Sequence, residues 1–187
     1  DRRTLFDERG QIILDPSRWE SDQLSRLNHA CSEKLRDLLR INQGIVSGAD
    51  RSDSGGIFVL EPDEIFDGAE PWLVPWYKNG DIRRYRTAST TDKRLIYLGN
   101  EEESSLPSQI LAHFESYRER LSRRRECVSG ARPWYGLQWP RERSIFDGPK
   151  LVAPQRCSEN RFAYSEGPWF ASADVYFLTR PITGVSL

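Results

Sequence analysis

Lys78-Asn79-Gly80-Asp81-Ile82-Arg83-Arg84-Tyr85 is the stretch on which the reading of this 187-residue chain turns. Gly80 marks a tight turn, and Asp81 offers a carboxylate that can cap the helical turn following it. Ile82 and Tyr85 are expected to point inward, leaving Arg83 and Arg84 facing out. A purely structural reading stays open, in which Asp81 satisfies backbone donors and the motif is only a turn. Just upstream, Trp72 to Tyr77 is an aromatic extended run interrupted by Pro75. Proline cannot donate to a ladder, so this run is expected at a sheet edge or in an irregular segment. Downstream, Arg94-Leu95-Ile96-Tyr97-Leu98 reads as a strand.

Farther out, Leu24, Leu27, Cys31, Leu35 and Leu38 recur at three and four, predicting an amphipathic helix over Asp22 to Arg40 with Asp22 as N-cap. Ile41 to Val46 follows as a strand, and Gly44 and Gly48 bracket a turn that needs either positive φ or close approach to another surface. Ile57-Phe58-Val59-Leu60 is a short apolar strand ended by Pro62. A second helix is expected from Leu106 to Glu126, with Ile110, Leu111, Phe114, Tyr117 and Leu121 inward. From Gly130 onward, short strands alternate with turns: Lys150 to Val152, Phe162 to Tyr164 and Trp169 to Leu178. This pattern predicts an α+β fold, a curved mixed or antiparallel sheet of short strands with two to three amphipathic helices. Residues 1–20 read as an N-terminal lead-in, and 21–187 as a single domain.

The chain contains no Met, so Asp1 is no initiator and the sequence reads as a piece excised from a larger protein, a processed N-terminus being the alternative. No membrane-length apolar run or secretion signal is present. Cys31, Cys127 and Cys157 form no Cys-x-x-Cys pair, which suits a reducing cytoplasm better than a disulfide framework or a zinc site. His113-Phe114-Glu115 has the His-x-Glu spacing of zinc deaminases, but no Pro-Cys-x-x-Cys supplies the remaining ligands. The net charge of −1 conceals an asymmetry. Residues 1–77 hold nine Lys/Arg against fifteen Asp/Glu, whereas residues 78–161 hold seventeen against eleven. Clustered cations of this kind are what a polyanion-facing half requires.

Catalytic signatures are missing from the sequence. No Gly-x-Gly-x-x-Gly, no adjacent prolines, no Gly-Lys and no Glu-x-Lys occurs, which excludes the common cofactor, phosphate and metal-nuclease motifs. Binding chemistry is better represented. Trp134-Tyr135-Gly136-Leu137-Gln138-Trp139-Pro140-Arg141 gathers three aromatics and a cation, able to stack on bases or to anchor a core. Gln155, Arg156, Asn160 and Arg161 are apt readers of adenine and guanine edges on a turn between two strands. Arg118, Arg120, Arg123, Arg124 and Arg125 crowd a helix end, where phosphate contact competes with plain solvation favoured by the helix dipole.

Taken with Asn42-Gln43-Gly44-Ile45-Val46-Ser47-Gly48-Ala49-Asp50, Gly148-Pro149-Lys150-Leu151-Val152-Ala153-Pro154 and Arg161-Phe162-Ala163-Tyr164, the Asp81 motif and Trp134-Tyr135 resemble the TaqI-like C-terminal specificity domain of adenine-specific DNA methyltransferases and type IIG restriction-modification enzymes. The resemblance covers about Leu24 to Thr179. It departs from the family pattern at Arg51-Ser52-Asp53-Ser54-Gly55-Gly56, which lengthens the turn after Ser47. It implies a non-catalytic target-recognition domain for double-stranded DNA, attached to a methyltransferase domain and in some parents to a nuclease. S-adenosylmethionine would bind that other domain, and this chain would take no cofactor, metal or small-molecule substrate of its own. It implies a basic residue near the DNA at Lys150; with the residues whose chemistry suits the task, the expected DNA-facing set is Lys78, Arg83, Arg84, Trp134, Tyr135, Trp139, Arg141, Lys150, Gln155, Arg156, Asn160 and Arg161. The alternative is a protein-interaction or structural domain of a defence or modification complex that does not read DNA.

Overall fold

The computed structural model describes residues 29–33, 35–50 and 56–181. The expected lead-in over 1–20, the start of the first helix at Asp22, and most of the Arg51–Gly56 loop lie outside them. The chain divides into two units, Asp1–Leu38 and Leu39–Leu187. In the first, His29 and Ala30 are helical and α1 spans Leu35–Leu38. The chain is already a strand at Leu39, two residues before the expected start at Ile41.

The second unit is built on two sheets. Six strands lie in the order β1, β10, β7, β8, β5, β4: β1 is Leu39–Gln43, β4 Ile82–Arg83, β5 Tyr85–Thr87, β7 Lys150–Pro154, β8 Ala163–Ser165 and β10 Val175–Pro181. All pairings are antiparallel except β5 with β8. The second sheet has the order β2 (Val59–Leu60), β6 (Arg94–Ile96), β3 (Leu73–Tyr77), β9 (Phe170–Ala171), the last pair parallel. Two mixed sheets with short helices make the fold α+β.

Pro75 corrects the expectation of an edge strand, because β3 lies between β6 and β9. Its partners change along its length: Leu73 to Pro75 pair with β6, whereas Trp76 and Tyr77 pair with β9. The Trp76 N–H donates to the Lys93 carbonyl on the β6 side. Alternation therefore aims the hydrogen-free nitrogen of Pro75 at the other side, where β9 pairing has not yet begun.

The expected helix from Leu106 to Glu126 is three: α2 (Ser108–Glu115), α3 (Arg118–Ser122) and α4 (Arg125–Val128). Ile110, Phe114 and Leu121 are buried, in keeping with the period read from the sequence. The last break falls at Arg124, whose backbone is extended (φ −63°, ψ 140°). Its half-buried guanidinium donates to the carbonyls of Ser47 (2.9 Å), Trp134 (2.7 Å), Gly136 (2.8 Å) and Leu121 (3.1 Å). Three of those acceptors, on Ser47, Trp134 and Gly136, lie outside the helices and hold the side chain at the break. Desolvation lowers the Arg124 pKa from its usual value, with Cys127, Glu126 and Asp50 opposing the shift.

Aromatic packing joins the two sheets. Phe146, on α5 (Ser144–Asp147), lies 4.9 Å from both Phe170 of β9 and Phe177 of β10, and the Tyr77 and Trp169 rings stack at 4.7 Å. Gly44 could carry no side chain, since a Cβ there would clash with the Ala171 and Ser172 carbonyls. Gly48 adopts φ +77° against Gln138. The two glycines thus meet the two demands placed on that turn, close approach and positive φ.

Candidate nucleic-acid interface

Strand register gathers five segments around one end of the six-stranded sheet. β1 leaves at Gln43 opposite Tyr176, β10 enters at Val175 opposite Pro154, and β8 enters at Ala163 opposite Val152. β5 enters beside Ala163 at Tyr85. The turn 155–162, the β4–β5 hairpin tip and the exit of β1 at Gly44 therefore share one rim.

The hairpin is the most exposed part of that rim. Arg83 pairs directly with Arg86, and Arg84 and Tyr85 form the connection between them. Tyr85 has φ +74° and is 79% exposed, whereas Ile82 is buried, so only half of the inward expectation for this motif holds. A two-residue connection needs a left-handed residue, and here Tyr85 fills that position. Its N–H donates to the Phe162 carbonyl at 2.7 Å, fastening the tip to the start of β8. Asp81 also departs from expectation. Its carboxylate reaches back, accepting the Lys78 N–H at 2.7 Å as the last residue of the 3-10 turn Asn79–Asp81.

Arg83, Arg84 and Arg86 are exposed. Arg84 lies 3.8 Å from exposed Glu159, a pair that contributes little in water. Arg86 escaped the sequence reading, although it is the third cation in the run Arg83-Arg84-Tyr85-Arg86. Register sets it beside Tyr164, which is 40% exposed. On the neighbouring turn Gln155, Arg156 and Asn160 are exposed. Gln155 is held by its N–H to the Asp174 carbonyl (2.7 Å) and by a long contact to the Tyr176 hydroxyl (3.5 Å). Arg161 is half-buried, and its Nε has no hydrogen-bond partner among the described residues.

A second cationic group adjoins the rim at Gly44. Trp139 is 43% exposed and exchanges backbone hydrogen bonds with Val46. The guanidinium carbons of Arg132 and Arg141 each lie 6.0 Å from its ring centroid, the outer limit of a cation–π contact. Arg141 takes φ +62°, donates through Nε to the Gly44 carbonyl (3.2 Å) and receives the Tyr97 hydroxyl on its own carbonyl (2.8 Å). Burial, partly offset by Arg143, pushes the Tyr97 phenol up to about 12. A polar cavity of about 280 Å³ opens beside Arg141, lined also by Arg40, Asn42 and Thr179 of β1 and β10.

Four of the expected residues lie elsewhere. Lys78 is exposed, but it precedes β4 at the end of the hairpin away from the tip. Trp134 is half-buried beneath Arg118, whose Cζ is 4.0 Å from the ring centroid. Tyr135 is buried and its hydroxyl donates to the Glu101 carbonyl at 2.7 Å. Lys150, expected beside DNA, is 0% exposed: its Nζ donates to the Gly148 (2.8 Å) and Gly167 (2.7 Å) carbonyls. Desolvation lowers its pKa to about 8, with Asp147 opposing.

Most of the arginines of the α2–α4 region have protein partners. Arg118 pairs with Glu115 and Arg123 with Glu119, while Arg120 donates to the Ala49 carbonyl and Arg124 to its four carbonyls. At the rim, by contrast, Arg83, Arg86 and Arg156 are exposed. No helix among the described residues is long and apolar enough to cross a membrane. No protein-family model matches the chain.

Proposed function

We propose that this chain is a sequence-specific duplex DNA recognition domain that performs no chemistry itself and positions an attached adenine-specific methyltransferase, in some parents together with a nuclease. S-adenosylmethionine belongs in this reading to the attached domain, and the setting is a prokaryotic cytoplasm. The observation that carries the DNA part is the gathering of Arg83, Arg84, Arg86, Arg156 and Arg161 with Gln155 and Asn160 around one sheet end, from two segments far apart in sequence. Cations directly opposite across two strands repel one another, so the pairing of Arg83 with Arg86 costs the free protein stability that phosphate would restore. Arginines of the hairpin suit phosphates, and the amides and arginines of the turn suit base edges. The attached methyltransferase rests on the sequence resemblance alone.

Fluorescence anisotropy with a labelled mixed-sequence duplex tests the reading. Binding is expected at low salt, with log affinity falling linearly against log salt by roughly 0.9 for each phosphate contacted. An absence of binding in low salt, or an affinity indifferent to salt, would refute it and favour a protein-interaction domain.

A further inference from the structure

Two residues other than glycine have positive φ among the described residues: Tyr85, on the rim, and Arg141, in the group adjoining it. Tyr85 is the more informative. A left-handed conformation is costly for a bulky L residue, whereas Gly or Asn would occupy the position with little strain. A large aromatic usually offsets such a cost by burying its ring, but Tyr85 is 79% exposed. The position is also rigid. The hairpin closes through Arg83 and Arg86, the Tyr85 N–H is bound to Phe162, and β5 is paired along β8. The ring is therefore a projecting aromatic on a fixed arm, strained at its root and without return from the folded chain.

Resting on the DNA reading above, we infer that Tyr85 is a stacking wedge whose ring enters the duplex at a base step while Arg83, Arg84 and Arg86 hold the flanking phosphates. Aromatic and apolar wedges of this kind unstack a step, and every base offers a π face, so the contact needs no particular sequence. The three arginines around the ring favour this occupant over an apolar protein partner, which would have to desolvate them.

The test compares the full chain with Tyr85→Asn and Tyr85→Phe, using a fluorescein-labelled mixed-sequence duplex, intact or with one central abasic position. Wild type should bind the abasic duplex more tightly, because unstacking there is already complete. Tyr85→Asn should lose roughly 5- to 150-fold in affinity and all preference for the abasic duplex. The same variant should melt about 2–4 °C higher, since Asn relieves the strain and little burial is lost. Tyr85→Phe should behave as wild type in binding. If wild type binds DNA with the expected salt slope but Tyr85→Asn matches it on both duplexes, the wedge is wrong while DNA recognition stands. If wild type binds neither duplex in low salt, both readings fall. Tyr85→Asn melting well below wild type would show that the ring supports the fold, and would overturn the wedge.

Discussion

Lys150 Nζ lies 2.7 Å from the carbonyl oxygen of Gly167 and donates to it, tying the start of β7 to the loop that follows β8. A charged ammonium held this way in the interior makes folding sensitive to alkaline pH. Its folded pKa of about 8 lies below the usual 10.5, so below pH 8 it is charged in both states and the full cost of burial applies. Between those values the unfolded chain holds a proton that the folded chain has released, and stability rises with pH. Above about pH 10 the phenols of Tyr77, Tyr97 and Tyr135, all raised by burial, reverse the slope because the unfolded chain deprotonates first. Urea melts across the range should show the rise, and Lys150→Met should flatten it between about pH 8 and 10. An unchanged profile in that variant would remove Lys150 from the account.

Arg124→Ala should destabilise the chain by about 2–4 kcal/mol in chemical denaturation, since it strips a charged donor from the Ser47, Trp134 and Gly136 carbonyls. Arg124→Lys should recover less than half of that loss, because an ammonium cannot fork to several acceptors in one plane. Full recovery by lysine would mean that charge, and not the fork, matters there.

Gly44→Ala should be among the most damaging small substitutions, on the order of 2–4 kcal/mol. Its methyl would be driven into the backbone between Ala171 and Ser172, which no side-chain rotation can relieve. Thermal melting of the purified variant is the measurement, with Gly80→Ala as control. Gly80 has open space around it and should tolerate the change within about 1 kcal/mol.

Arg84→Ala and Arg86→Ala should each weaken binding to all duplexes alike and reduce the salt slope by about one phosphate. Exchanging Gln155 or Arg156 should instead change which sequence is preferred, a bidentate base contact discriminating by about 1–3 kcal/mol. Selection from a random duplex library by each variant separates the two effects. Lys150→Met, buried where the arginines are exposed, should leave the slope unchanged if the variant folds.

Local rules made some features legible and long-range partners hid the rest. The demands of Gly44 and Gly48, the burial of Ile82, and the inward period of Ile110, Phe114 and Leu121 all follow from spacing or backbone chemistry within a few residues. Arg124 sits at a helix break and its guanidinium reaches an acceptor as far away as Ser47, a relationship no window of sequence contains. Lys150 reads as a surface cation because its two carbonyl acceptors become neighbours only once β7 and β8 pair. Tyr85 reads as inward-pointing with Ile82, but it becomes the left-handed residue of a two-residue connection whose strand pairs with β8, a partner distant in sequence. Within the candidate site, residue types were readable, but their grouping into a hairpin and a neighbouring turn required the register.

The joint between that hairpin and that turn consists of main-chain atoms, the Tyr85 N–H and the Phe162 carbonyl. Such a joint is indifferent to the side chains on either strand. The exposed residues from Gln155 to Asn160 can then be exchanged, by drift or by a designed library, while the hairpin stays where it is. A surface assembled in this manner is evolvable: its chemistry can be rewritten one loop at a time without renegotiating the scaffold.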